Sequence, residues 1–285
     1  MPDLQSKVLI VKPAISMLGN TRADEELTDE VLTRHQMATE AGCFVSNLYP
    51  PGFLRPIAKV AGEGRKWHKT QTIKSSFGDI IPTVMFENYR DRMNGFIARF
   101  NTAADHFQSI YDEILDGARR MHNGKFRPEL YPSRETVREQ FKFALFTAPM
   151  PRAKDLVVEY LMEERVTELR QQLERDVSTA SKNASNQVMG RVLACVDRII
   201  ARLAEPDAIF RDSLIDNLRA VLEIAPALNI GGDADVTRLV DECRAKLLTA
   251  PETLRTVKAV RDLTAENAKN IVLRFGNVGG RRVAK

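Results

Sequence analysis

The chain has 285 residues, 44% hydrophobic and 28% charged, a composition that provides a sizeable core and excludes a chain disordered throughout. Net charge is only +4, from 42 basic and 38 acidic side chains, so any case for a polyanionic partner must come from where the charge lies. No run of about 18 apolar residues occurs, which excludes a membrane-spanning helix, and MPDLQSKVLIVKPAISML lacks the small-residue cleavage site of a signal peptide; a cytoplasmic location is expected.

In chain order, KVLIVKPAISML (residues 7–18) predicts a mostly buried strand that Pro13 interrupts. GNTRADEELTDEVLTRHQMATEAG predicts a helix. Its acids fall in the first turns and Gly42 follows the last, with Val31, Leu32, His35 and Ala38 facing inward. NLYPPGFLRP reads as a proline- and glycine-bearing turn. AGEGRKWHKTQTIKSSFGDIIP has few helix formers. Trp67, Thr70, Thr72 and Ile73 there fit a short hairpin or an extended loop.

From Val84 a helical period takes over. Phe86, Tyr89, Met93, Phe96, Ile97, Phe100, Ala104, Phe107, Ile110 and Leu115 predict one helix as far as Met121, ended by HNGKFRPELYP. A second helix is expected from Ser133, with Val137, Phe141, Leu145 and Phe146 on one face, and TAPMPRAK marks a boundary. Beyond residue 151 the pattern is helical throughout, in DLVVEYLMEERVTELRQQLERDV, NQVMGRVLACVDRIIARLAE, a segment from Pro206 through Leu222, and DADVTRLVDECRAKLL. A last helix opens at TAPETL, where Thr249 and Glu252 have capping-box spacing and Pro251 lies in the first turn. The expected fold is mainly α with a smaller β component. An N-terminal α+β part (1–150) precedes a C-terminal helical, bundle-like array (151–275) and a flexible basic tail (276–285).

Enzyme signatures are missing. AGEGRK has the wrong spacing for a phosphate-cradling loop, and no zinc, calcium or nucleophile-elbow pattern occurs. His35, His68, His106 and His122 lack ligand spacing, so no metal, cofactor or catalytic residue is expected. Carboxylates interleave with Arg and Lys, as in EERVTELRQQLERD, which describes a solvated helix face. Cys43, Cys195 and Cys243 are odd in number, far apart and set among apolar neighbours, so they are expected to be buried free thiols.

Basic charge concentrates in two places. Residues 53–77 hold Arg55, Lys59, Arg65, Lys66, Lys69 and Lys74 against Glu63 alone, interleaved with Phe53, Trp67, His68 and Phe77 and preceded by Tyr49. Cations bind phosphates by releasing counterions, and aromatic rings stack on unpaired bases at about 1–3 kcal/mol each. The pattern therefore suits single-stranded nucleic acid, with Trp67 and Tyr49 or Phe53 as stacking platforms. It also suits a plainer arrangement, with the rings in the core and the lysines facing water. The second place is the tail, where Arg281, Arg282 and Lys285 follow two glycines; such a tail touches nucleic acid or serves solubility. The acidic run DEELTDE (24–30) reads as a helix start, or as the counterpart of a basic patch on another protomer.

VLIVKPAISMLGNTR, NLYPPGFLRPI, RKWHKTQTI and FENYRDRMNGFIARFNTAADHF together resemble a phage-encoded family. These are the Drc-like single-stranded-DNA-binding transcription cofactors of lytic podophages that carry their own middle-stage RNA polymerase. The resemblance covers about residues 7–150. It implies cooperative, largely sequence-independent binding of single-stranded DNA, recruitment of the phage RNA polymerase to melted promoters in the host cytoplasm, and a part in replication or recombination. A homo-oligomer is expected, its helical half joining protomers. The reading from a different class is a non-enzymatic helical scaffold or adaptor that binds another protein.

Overall fold

A computed structural model describes residues 4–156, 159, 161–204 and 212–276. The first strand, β1 (Val8–Ser16), runs through Pro13 without ending. A short strand, β2 (Thr21–Ala23), leads into helix α1 (Glu25–Arg34). Asp24 caps this helix, its carboxylate accepting from the Leu27 N–H at 3.1 Å, and Glu25 and Glu26 complement the positive end. The helix stops well before Gly42, and of the four residues expected to face inward only Leu32 is buried. Strand β3 (Val45–Asn47) pairs antiparallel with β2.

Residues 55–71 form neither hairpin nor extended loop but a helix, α2 (Arg55–Gln71). Ile57, Val60, Ala61, Gly64 and His68 recur at helical steps on its buried face, and Pro56 falls in the first turn, where it is tolerated. The hairpin lies just beyond, as β4 (Ile73–Ser75) and β5 (Gly78–Pro82), with Ile73 opposite Ile80 and Lys74 opposite Asp79. Gly78 takes φ +115°, and the Ser75 hydroxyl donates to the Gly78 carbonyl at 2.7 Å, closing the turn.

The aromatic helix is two helices, α3 (Thr83–Ser109) and α4 (Tyr111–His122), broken at Ile110. The helix expected from Ser133 does not form. Residues Val137–Gln140 make one 3₁₀ turn, and strand β6 (Lys142–Pro149) follows. Phe141 and Phe143 are buried while Lys142 and Ala144 are exposed, the alternation of a strand with one covered face. The main sheet has the order β4-β5-β1-β6. Its β1–β5 register runs from Val8 opposite Pro82 to Ile10 opposite Ile80, so the missing N–H of Pro13 falls beyond that ladder.

The two segments expected over residues 155–177 and 186–205 join in one helix of 41 residues, α5 (Glu163–Leu203), which begins only at Glu163. Helices α6 (Ser213–Leu228), α7 (Ala234–Leu247), α8 (Pro251–Thr256) and α9 (Lys258–Phe275) complete the array. The start expected at Pro206 lies outside the described residues. Pro251 does open α8, but Ala250 rather than Thr249 is the N-cap, and the helical run divides at Val257.

The chain divides into two compact units. The first unit comprises residues 1–12, 71–89 and 147–285. Here the strands join the helices because their inward side chains share one core: Ile73 and Ile80 cluster with Val188, Val192, Leu218, Leu239 and Ile271. Gln187 ties the hairpin to α5, accepting from the Lys74 N–H at 3.0 Å and donating to the Lys74 carbonyl at 2.8 Å. The second unit comprises residues 13–70 and 90–146. Its interior is aromatic, with Phe107 edge-on to Phe141 at 5.2 Å and Phe100 edge-on to Phe143 at 5.5 Å. No helix among the described residues is long and apolar enough to cross a membrane.

Candidate nucleic-acid interface

The basic segment becomes a surface through the helical period. With 3.6 residues per turn, Arg55, Lys59, Gly62, Lys66 and Lys69 succeed one another at steps of four, three, four and three residues, which places them on one face of α2. That face lies opposite Ile57, Ala61, Gly64 and His68, and all four cations are exposed. At about 1.5 Å per residue the stripe is about 21 Å long. Arg65, also exposed, flanks it. Among the described residues none of these five cations makes an ion pair.

The aromatic residues divide differently. Tyr49 is 1% exposed, edge-on to Phe107 at 5.9 Å and to Tyr131 at 5.4 Å. Its hydroxyl is hydrogen-bonded to Tyr111, and burial pushes its pKa above the ordinary phenol range. Tyr49 is therefore a core residue, not a stacking platform. His68 is also buried, on the inner face of α2, and lies out of reach of a ligand on the outer face. Phe53 is half-buried in the turn before α2. Phe77 packs half-buried against Val8, Met150 and Ala180 of the first unit. Trp67 is half-buried on the flank of the stripe, its ring 5.9 Å from Phe96 and tilted by 47°. Of the rings proposed for stacking, the indole is the one carried by α2 itself, the helix that holds the cations.

Lys74 is exposed but sits on β4, in the first unit, so it is not part of the stripe. Arg281 and Arg282 lie outside the described residues. Cys195 and Cys243 are buried as expected, whereas Cys43 is exposed, because its loop leads into the open β2–β3 ribbon rather than into a core.

Two cations that sequence reasoning missed adjoin this surface. Arg92 and Arg99 lie about one turn to either side of Phe96 on α3, their guanidinium carbons 5.5 and 5.8 Å from its ring centre. Arg99 also pairs with Glu63 of α2 at 2.9 Å. Glu63 meets Arg99 while Trp67 meets Phe96, so the helices run antiparallel. Nothing in the local sequence of α3 signals this proximity; the tertiary fold creates it.

The acidic run at 24–30 is answered within its own unit. Glu26 pairs with Arg127 at 2.9 Å and lies 3.9 Å from Lys125, beside a cleft of about 440 Å³ that also takes in Arg22, Glu25 and His122. The chain matches no protein-family model, no curated protein and no solved structure.

Proposed function

We propose that the protein binds single-stranded DNA along the outer face of α2 and acts, without catalysis, as a transcription cofactor that recruits an RNA polymerase to melted DNA. A part in replication or recombination goes with this reading. The observation that carries it is the stripe of Arg55, Lys59, Lys66 and Lys69, unengaged by acids among the described residues, with the indole of Trp67 on its flank.

Cations held in line by a rigid helix exchange their counterions for phosphates without first breaking other pairs. The indole offers one stacking surface, worth about 1–3 kcal/mol to an unpaired base. In a duplex the bases already stack on each other, so Trp67 adds affinity for single strands only. Successive protomers on one strand give cooperative binding, and the helical array of the first unit is the natural source of the protomer contacts in a homo-oligomer.

The test is a variant carrying Lys66→Ala, Lys69→Ala and Trp67→Ala, titrated with a labelled oligothymidylate and with the corresponding duplex. The proposal expects tight binding of the single strand by the native protein and a loss in the variant. Equal affinity of the two proteins, or a preference for duplex, contradicts it.

One observation favours a helical adaptor instead. Leu161 and Met162, just before α5, and Leu169 within it are 46%, 77% and 44% exposed, apolar side chains that suit a protein partner. This reading expects no oligonucleotide binding and a protein complex that the triple variant still forms.

A further inference from the structure

Glu63 is the one acid on α2. It stands one turn after Lys59 and one turn before Trp67, and therefore lies between the cationic stripe and the indole. Its carboxylate is held by Arg99 at 2.9 Å. The two side chains are 37% and 55% exposed, so water reaches both and the pair is of the weak, readily exchanged kind. Arg99 has a second hold, since its guanidinium rests over Phe96 at 5.8 Å, and Phe96 is the neighbour of Trp67. If the ion pair opens, Arg99 stays beside the indole.

Resting on the reading of α2 as the DNA-binding face, we infer that Arg99 is a further phosphate contact, occupied by Glu63 in the free protein and released to DNA by exchange. The planar guanidinium fork accepts a carboxylate or a phosphate in the same bidentate geometry. The Glu63 carboxylate thus stands where a phosphate oxygen binds. Without Arg99 it would place an unpaired negative charge against the strand. The pair keeps the surface from repelling DNA and holds Arg99 oriented over Phe96. It also weakens every bound state by the cost of parting the two residues.

The experiment is a cycle of four proteins, native, Glu63→Gln, Arg99→Ala and the double variant, each titrated with labelled oligothymidylate over a range of salt. The Lys66→Ala, Lys69→Ala protein is run alongside. Glu63→Gln is expected to bind about two- to fivefold tighter at low salt, the range that an exposed ion pair supplies. Arg99→Ala is expected to bind more weakly and to lose about 0.7 from the slope of log K against log salt, as one phosphate contact does. In the double variant the gain from Glu63→Gln should shrink to what removal of a repelling carboxylate alone gives, because there is no arginine left to release. A gain of the same size with and without Arg99 would mean that Glu63 acts only as a repelling charge, and it overturns the inference. If the lysine variant binds like the native protein, the reading of α2 itself fails; if it weakens as expected while the cycle is additive, only the role of Arg99 falls. Circular dichroism melts confirm that each variant is folded.

Discussion

Gly64 of α2 faces the ring of Phe143 so closely that a Cβ placed there would stand 3.0 Å from Cζ and 3.2 Å from Cε1. Two turns of sequence logic compete at this point. Glycine inside a helix costs about 1 kcal/mol relative to alanine, yet alanine at residue 64 must push the aromatic ring out of its place against Phe100. Gly62, two residues earlier, has nothing within 4 Å of such a Cβ. The same substitution should therefore have opposite effects. Gly62→Ala is expected to raise stability by about 0.5–1 kcal/mol, and Gly64→Ala to give no gain or a loss of about 1–2 kcal/mol. Urea denaturation of the two proteins checks this; stabilisation by both would show that the helix does not pack against Phe143.

That pair of glycines also explains why α2 was hard to see in the sequence. Gly62 and Gly64 lower helix propensity, and Thr70, Thr72 and Ile73 raise strand propensity, so composition favoured a hairpin. The period was there: Ile57, Val60, Ala61, Gly64 and His68 recur at helical steps, and so do the cations opposite them. What composition could not supply is the reason for Gly64, which lies in a ring from a distant strand. β6 failed in the reverse sense. Val137, Phe141 and Leu145 keep a helical interval, but Phe141 and Phe143 alternate with exposed residues, and sheet pairing selected the two-residue period. The helical C-terminal half was legible because its stripes are long. The site was legible as a concentration of charge, but not as a face, and Arg92 and Arg99 reach it only through tertiary contact.

Tyr49 separates the core from the binding surface. Tyr49→Phe removes the hydroxyl bonded to Tyr111 while keeping the ring between Phe107 and Tyr131. It should cost about 1 kcal/mol of stability and leave DNA affinity unchanged. A parallel melt and oligonucleotide titration measures both; weakened binding by a protein of native stability would place Tyr49 in the interface after all.

The three cysteines should react in two classes. Cys43 is exposed, whereas burial pushes Cys195 up and holds Cys243 at about 12, up from an ordinary 9.0. A thiol reagent at mildly alkaline pH should modify one cysteine quickly in the native protein and the other two only after unfolding. The same shift makes alkali destabilising. The unfolded state gives up the Cys243 proton first, so this contribution is intact below pH 9 and is lost as the pH rises toward 12. Rapid modification of all three in the native state would contradict the described packing.

Trp67 gives a direct optical readout, since it is the chain's one tryptophan. The indole is already partly covered, with Phe96 beside it, so stacking on a base should quench its emission in part. Lys66→Ala with Lys69→Ala should move the quenching to higher DNA concentration without changing its final extent. Emission that ignores saturating oligothymidylate would remove Trp67 from the interface.

The most direct measurement is the salt dependence of single-strand affinity for the native protein and for the Lys66→Ala, Lys69→Ala variant. Four phosphates held by Arg55, Lys59, Lys66 and Lys69 contribute about −3 to the slope of log K against log salt, and removing two of the lysines should make the slope shallower by about 1.4. Affinity that does not change with salt, or a slope that is the same in both proteins, would contradict binding through this face of α2.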